Sequence, residues 1–307
     1  MKKILGIVFA GLTFSVLAFA HGYKSAYPYI SKPTFVIFCD HYCCHKFNPS
    51  DVKKNDTIFV SNPGVFFQKF HSKIKFPYIL VTSSDYPVPG KFEKYLSSRK
   101  LRAWFGRNMN PTHPKAFVLP IGISHQKGTK NPWVPLYATY ARALKLCKAI
   151  KKDKLLYLNC IVHAPARLKY DFFFKFRKKN RQEVYNLFRH KSFCFVAKRK
   201  PLFEYLQDLS SSKFVLSPPG RGLDCFRTWE AMLMGSIPIV KSSIIDSLYE
   251  DLPVLIVKDW KDITEDFLIK KYEEMCKKEY KLEKLYADYW FDQINSQKNK
   301  SKKREKN

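Results

Sequence analysis

Short apolar runs alternate along most of this chain with longer stretches of helical periodicity. That alternation constrains the fold more than any other feature of the sequence. The apolar runs predict strands at Thr34–Cys39, Thr57–Ser61, Tyr78–Ser83, Ala116–Ile121, Leu155–Cys160, Phe193–Ala197, Lys213–Ser217, Ile237–Val240 and Val254–Val257. Several are apolar without interruption, the pattern of strands covered on both faces. Between them the periodicity predicts helices at Val65–Lys73, Lys91–Ser98, Trp133–Lys148, Gln182–His190, Leu202–Ser210 and Arg227–Met234. Strands alternating with helices give an α/β fold with mostly parallel sheets.

Two sheets suit nine strands better than one, and 307 residues with 16% aromatics can fill two cores. The Lys-rich stretch around Ala149–Lys154, where a helix ends and a new apolar run begins, marks the boundary. The plan is then a first domain over 21–148, a second over 149–265 and a helical segment over 266–295. Leu282, Leu285, Tyr289 and Trp290 recur at helical spacing in Tyr272–Asn295 and predict a long helix that lays one stripe back on the body. Residues 296–307 contain no apolar side chain and are expected to be a disordered basic tail.

At the N-terminus, Lys2 and Lys3 precede an uncharged run from Ile4 to Ala20, and Ala18-Phe19-Ala20 fits a small-x-small cleavage site. Residues 1–20 read as a signal peptide that exports the chain, or as an uncleaved anchor that associates residues 4–20 with a membrane. Export permits disulfides, but eight cysteines in a chain this long do not make a disulfide scaffold. Cys39, Cys43 and Cys44 with His41 and His45 have ligand-like chemistry, yet no second ligand pair stands at finger-like distance, so no metal site is assigned.

The chain is strongly basic, with 55 Lys+Arg against 26 Asp+Glu. Residues 1–200 hold 37 basic and 8 acidic side chains, and residues 201–307 hold 18 of each. The excess is spread thinly and is mostly Lys, 43 against 12 Arg, which disfavours bidentate phosphate readout of a nucleic acid. It suits an anionic glycan acceptor or a membrane surface, and composition bias of an A/T-rich genome explains it as simply.

The segment that carries chemistry runs from Lys213 to Val240. It reads as strand, Pro/Gly turn, helix, turn and strand. Gly220 and Gly222 allow close backbone approach to a ligand. Arg221 and Arg227 flank the turn, and a helix begins near Asp224–Arg227. Glycine-rich backbone, a helix N-terminus and two guanidiniums together suit a diphosphate. Glu230 follows Arg227 at i+3, on the same helix side, where a carboxylate can accept from two ribose hydroxyls. Taken singly, each has an ordinary reading as a turn glycine, a solvated ion pair or a core side chain.

Ser217-Pro-Pro-Gly-Arg-Gly-Leu-Asp224, Arg227-Thr-Trp-Glu-Ala231 and Gly235-Ser-Ile-Pro-Ile-Val240 resemble the exostosin-type glycosyltransferases (family 47) and the C-terminal part of ribitol-xylosyltransferase. The likeness extends to Ile79–Tyr86, Arg102–Gly106, His113–Lys115, Leu119–Ile123, Leu155–Asn159 and Ser192–Val196. Arg221 and Phe226 stand where that family more often carries Asn and His.

The resemblance implies a GT-B-like architecture of two Rossmann-like domains facing a cleft. It implies an inverting, metal-independent transfer from a nucleotide-diphosphate sugar, expected to be UDP-linked, with no other cofactor. Ser217, Gly220, Arg221, Gly222, Asp224, Arg227 and Glu230 are then the donor-binding residues, and Arg227 assists departure of the diphosphate. An inverting transfer needs a general base. Asp85, after the Tyr78–Ser83 strand, is the first candidate and Asp40 the second, with His125 and Arg102 as further cleft candidates. The reading from another class is a secreted polyanion- or glycan-binding protein on an inactive transferase scaffold.

Overall fold

The computed structural model describes residues 26–44, 46–124, 136–147, 150–160 and 172–304. The N-terminal apolar run and His125 lie outside them.

Two parallel sheets of five strands each form the frame. Helix α1 (Lys32–Phe38) leads into β1 (His41–Cys43) and β2 (Thr57–Val60); α2 (Pro63–Lys69) connects to β3 (Tyr78–Thr82), followed by β4 (Leu101–Gly106) and β5 (Ala116–Val118). These five strands lie in chain order, all parallel. Right-handed crossovers in a sequential order all fall on one face of a sheet. Ile58, Val60, Tyr78, Leu80 and Trp104 point to that face, against Phe66 and Phe67 of α2 and Leu96 of a short 3₁₀ segment. Alternate residues Phe59, Ile79, Val81, Ala103 and Phe105 point to the other. Among the described residues that second face has no crossover helix and is closed by α1 and the last helix.

The second sheet is built after α3 (Leu136–Cys147). It comprises β6 (Lys154–Leu158), α4 (Phe172–Phe188), β7 (Cys194–Val196), α5 (Leu202–Ser210), β8 (Ser212–Leu216), α6 (Phe226–Leu233), β9 (Ile237–Lys241) and β10 (Leu255–Val257). The strand order is β10-β9-β8-β6-β7, all parallel. Leu156, Leu158, Phe214 and Leu216 face Val184 and Phe188 of α4, and Leu268 and Met275 of α7 (Glu265–Cys276). Tyr157 and Val215 face Leu206 and Leu209 of α5 and Ala231 of α6. From β6 the chain moves outward to β7, then returns across β6 to β8. The order therefore reverses between β6 and β8, and it is beyond the C-terminal ends of strands at such a reversal that open α/β sheets bind ligands.

The last helix, α8 (Ala287–Arg304), returns to the first domain and lies against β3 and β4. Phe291 stacks on Phe38 of α1 at 3.9 Å, and Trp290 and Ile294 join the same core. Burying side chains of this size stabilises the fold by roughly 1.5–3 kcal/mol each. Helix α8 starts near Pro28, whose carbonyl accepts from Ala287 N at 2.9 Å, and runs down to Asp40, which Lys298 Nζ reaches at 2.8 Å.

The α/β class and the two-domain Rossmann-like organisation agree with the alternation read from the sequence. Several elements differ. β4 (Leu101–Gly106) is not among the expected strands, and the helix expected over Lys91–Ser98 is a 3₁₀ segment, Gly90–Ser97. Thr34–Cys39, expected as a strand, falls largely in α1, because Ser31 caps the helix (Thr34 N to Oγ, 3.3 Å) and Pro33 fits its first turn. The strand of this unit is β1, a few residues later. Helix α3, placed in the first domain by a boundary at 148, packs Tyr140, Ala143 and Cys147 against α5 of the second. The helix expected over Tyr272–Asn295 is broken: α7 ends at Cys276, and a 3₁₀ turn at Leu282–Leu285 redirects the chain before α8. Helix α8 continues to Arg304, through residues expected to be disordered, whose Lys, Gln and Arg are good helix formers.

Residues 28–30 occupy a special position. Ile30 O accepts from Ile123 N (2.8 Å), and Pro28 O accepts from Ala287 N. The Tyr29 ring lies 6.1 Å from Tyr140 and 5.9 Å from Tyr286. The outward link between sheets (after β5) and the return link (before α8) are thus both bonded to this one segment. Gly122 has φ +70°, and a Cβ there would strike the Ile30 carbonyl, so only glycine allows the approach. Among the described residues no helix is long and apolar enough to cross a membrane.

Candidate functional site

The site begins where β8 ends. Ser217 leaves the strand and its hydroxyl meets Thr228 Oγ1 at 2.8 Å, tying the turn to the first turn of α6. Gly220 N bonds Gly222 O (3.0 Å), and Cys225 Sγ donates to Pro218 O (3.5 Å). This compact loop places the N-terminus of α6 beyond the C-terminal end of β8, next to the end of β6.

Two guanidiniums flank the loop. Arg181, from α4, donates Nε to Pro219 O (3.3 Å), with its Nη2 3.2 Å from where a Gly220 side chain would begin. Arg227, on α6, donates Nε to Asn159 O (2.9 Å) just beyond the end of β6. Its Nη1 is buried and has no hydrogen-bond partner among the described residues. A buried, unpartnered N–H of a charged group is costly, and an acceptor supplied from outside would relieve that cost. The thiols of Cys160 and Cys225 are raised by burial, against the opposing pull of the nearby arginines, so they are neutral at ordinary pH and do not offset the Arg227 charge.

The first domain meets this loop from across the gap, again with the C-terminal ends of its strands. Asp85 follows β3. Its carboxylate accepts from Arg107 Nη2 and stands 3.8 Å from Arg221 Nη1 of the second domain. Asn108 follows β4 with φ 53°, a left-handed conformation that asparagine tolerates. Its Nδ2 donates to Ser84 O (3.0 Å) while its Oδ1 accepts from Leu223 N (2.9 Å) and Asp224 N (3.1 Å). A side chain at Gly222 would collide with this amide, which explains the second glycine of the turn.

Asp224 and Glu230, both expected at the donor, are buried and fully engaged. Asp224 accepts from Ile121 N (2.7 Å), Cys225 N (2.9 Å), Trp229 Nε1 (2.9 Å) and Tyr249 OH (3.0 Å). Burial pushes its carboxyl up to about 6, against the lowering effect of these bonds and of Arg107. Glu230 is 0% exposed and accepts from Tyr140 OH (2.8 Å), Ser124 N (3.2 Å) and Tyr205 OH (2.9 Å). In this arrangement the two carboxylates bind protein groups on both sides of the gap and present no oxygen to solvent. The helical spacing that put Glu230 beside Arg227 holds, but Glu230 points to the interior.

The structure brings Ser217, Gly220, Arg221, Gly222 and Arg227 together around one loop, with Asp85 opposite. It does not bring Asp40 or Arg102 there. Asp40 precedes β1, at the opposite edge of the sheet, where burial raises its carboxyl but bonds from Lys298 and Thr57 outweigh this and hold it low. Arg102 sits at the register shift between β3 and β4. Among the described residues no three His, Cys, Asp or Glu converge on a metal position, and all eight cysteines carry free thiols. Arg181, Asn108, Arg107 and Asn159 were not selected by sequence reasoning. They come from three separate parts of the chain (α4, the end of β4 and the end of β6), and only the strand-end position of the last three could have pointed to them.

Residues 157–302 match the family model of the RXYLT1 C-terminal domain, which supports a ribitol-xylosyltransferase-like relationship for the part of the chain that holds the loop. No curated protein matches the chain.

Proposed function

We propose that this protein is a glycosyltransferase of exostosin-like, GT-B type. In this reading it moves a sugar from a nucleotide-diphosphate donor, UDP-linked by expectation, to a hydroxyl of a glycan acceptor, with inversion. The observation that carries the proposal is the unpartnered buried Nη1 of Arg227 at the strand-order reversal of the second sheet. That is where an open α/β sheet binds nucleotides, and this half of the chain is the one related to the RXYLT1 C-terminal domain. The first sheet, in sequential order, has no reversal and therefore no equivalent crevice, which leaves it the acceptor side.

The proposed chemistry follows from charge. Departure of a sugar from its diphosphate leaves negative charge on the β-phosphate. Arg227, Arg181, Arg221 and the amides at the start of α6 supply a fixed positive field there, in the role a divalent cation plays elsewhere. Gly220 lets the phosphates approach backbone, while Ser217 and Gly222 set the shape of the turn through Thr228 and Asn108. Because Asp224 and Glu230 are engaged within the fold, direct donor contact falls to the loop and the arginines. Asp85 faces the same space from the acceptor side. Arg107 holds its carboxylate in place to take the acceptor's proton as the new bond forms.

Calorimetric titration with nucleoside diphosphates and a turnover screen across nucleotide-sugars test this. Arg227→Ala is expected to weaken diphosphate binding about 10- to 100-fold, as for loss of a charge-assisted hydrogen bond. Asp85→Asn is expected to abolish transfer with binding retained. A protein that binds no nucleotide and whose Arg227→Ala variant is indistinguishable from wild type would leave the polyanion-binding reading in its place.

A further inference from the structure

The parallel sheet of the first domain has a second edge, formed by the loops that enter its strands. It lies opposite the cleft. Hydrogen bonds make it one continuous surface: Asn55 N to Pro77 O (2.7 Å), Lys100 Nζ to Ser72 O (2.9 Å) and Lys115 Nζ to Ser98 O (2.9 Å) join the loops entering β2, β3, β4 and β5.

The composition of this edge is one-sided. Lys53 and Lys54 lie exposed before β2, Lys73 and Lys75 before β3, and Arg99 before β4. The acidic residues of the same edge are Asp40, Asp51 and Asp56; Asp40 is bonded to Thr57 N (2.8 Å), and Asp56 to His41 Nε2 (2.7 Å) and to Lys53 N (2.8 Å). Helix α8 brings its basic end to the same edge. Lys298 pairs with Asp40 there, and the helix continues to Arg304 through Lys300, Lys302 and Lys303. In the midst of the lysines stands Phe76, 48% exposed, between Lys75 and Pro77.

We infer that this edge is a docking surface for an anionic phospholipid membrane, which the protein meets with the cleft turned outward. Lysines with few arginines supply diffuse attraction to headgroups rather than bidentate readout of nucleic acid phosphates. An aromatic side chain held out among lysines has no role in binding a soluble polyanion by charge alone. At a bilayer it inserts at the headgroup level, as in interfacial anchors. The geometry is compatible with activity, because both sets of strand C-termini, and so the candidate site, face away from this edge. The inference rests on the surface itself and stands independently of the proposed reaction.

Co-sedimentation of the full-length protein with vesicles of phosphatidylcholine, alone or mixed with phosphatidylserine, tests it. The readout is the phosphatidylserine-dependent gain in binding, which cancels any contribution of residues 4–20 that does not depend on lipid charge. The combined variant Lys53→Glu, Lys54→Glu, Lys73→Glu, Lys75→Glu is expected to lower that gain on the order of a hundredfold or more, at roughly fivefold per charge near the surface. Phe76→Ser is expected to make the remaining binding more salt-sensitive. A control with the same charge change on the second domain, Lys258→Glu, Lys261→Glu, Lys270→Glu, Lys277→Glu, is expected to lose far less. Equal loss in the control, no gain from phosphatidylserine, or binding to heparin or RNA that falls with the edge variant while vesicle binding does not, would overturn the inference.

Discussion

Asp224 is held by four donors from three separate parts of the chain, and it is the residue at which the loop after β5, the Pro/Gly turn and the Trp229–Tyr249 pair meet. Its burial has a consequence in pH. A carboxyl raised from 3.8 unfolded to about 6 folded favours the folded state while protonated, and this contribution disappears as pH rises through 6. The expected loss between pH 4 and pH 6 is up to about 3 kcal/mol. Asp224→Asn cannot titrate. Denaturant unfolding at a series of pH values should therefore show the stability difference moving in favour of the variant over this window and constant above it. The same residue shows where sequence reasoning stopped. The order Asp224, Arg227, Trp229, Glu230 was legible and pointed to this loop as the candidate site. The inward direction of Asp224 and Glu230 was not, because it depends on donors from Ile121, Ser124, Tyr140, Tyr205 and Tyr249, which no local spacing links to them.

Helix α1 shows the same limit at the level of an element. Thr34-Phe-Val-Ile-Phe-Cys39 is an apolar, β-branched run, and propensity alone makes it a strand. The two residues that decide against this stand just before and within its first turn. Ser31 accepts from Thr34 N and meets its hydroxyl at 2.8 Å, and Pro33 presets the backbone. Ser31→Ala removes a buried cap and is expected to destabilise the protein by about 1 kcal/mol, lowering the melting temperature by about 2–4 °C. Calorimetry measures this directly, and an unchanged melting temperature would show that tertiary packing alone holds the helix. The strands flanking the Pro/Gly turn were read correctly because both faces of the second sheet are covered, so continuous hydrophobicity and strand length coincide there. β1 has only three residues and only partly buried side chains, which leaves too short a pattern to recognise.

At the scale of the whole molecule, α8 makes the first domain depend on the far end of the chain. The sequential sheet buries one face under its own crossovers and the other under α1 and α8, so a protein lacking the last helix would expose Phe59, Val81 and Phe105. Phe291→Ala removes the ring stacked on Phe38 and is expected to cost about 3–5 kcal/mol. The denaturation midpoint of the full chain measures this, and a cost below about 1 kcal/mol would show that α8 is not part of the core. The charge imbalance seen in the sequence also acquires a location at this scale: part of it collects on the sheet edge away from the cleft, together with the basic end of α8.

Residues 28–30 finally give the two halves a common footing. Ile123 N and Ala287 N both donate to carbonyls of this one short segment, so the two places where the chain passes between the sheets are fixed to each other as well as to it, and a change that displaces the Pro28–Ile30 backbone is felt at both.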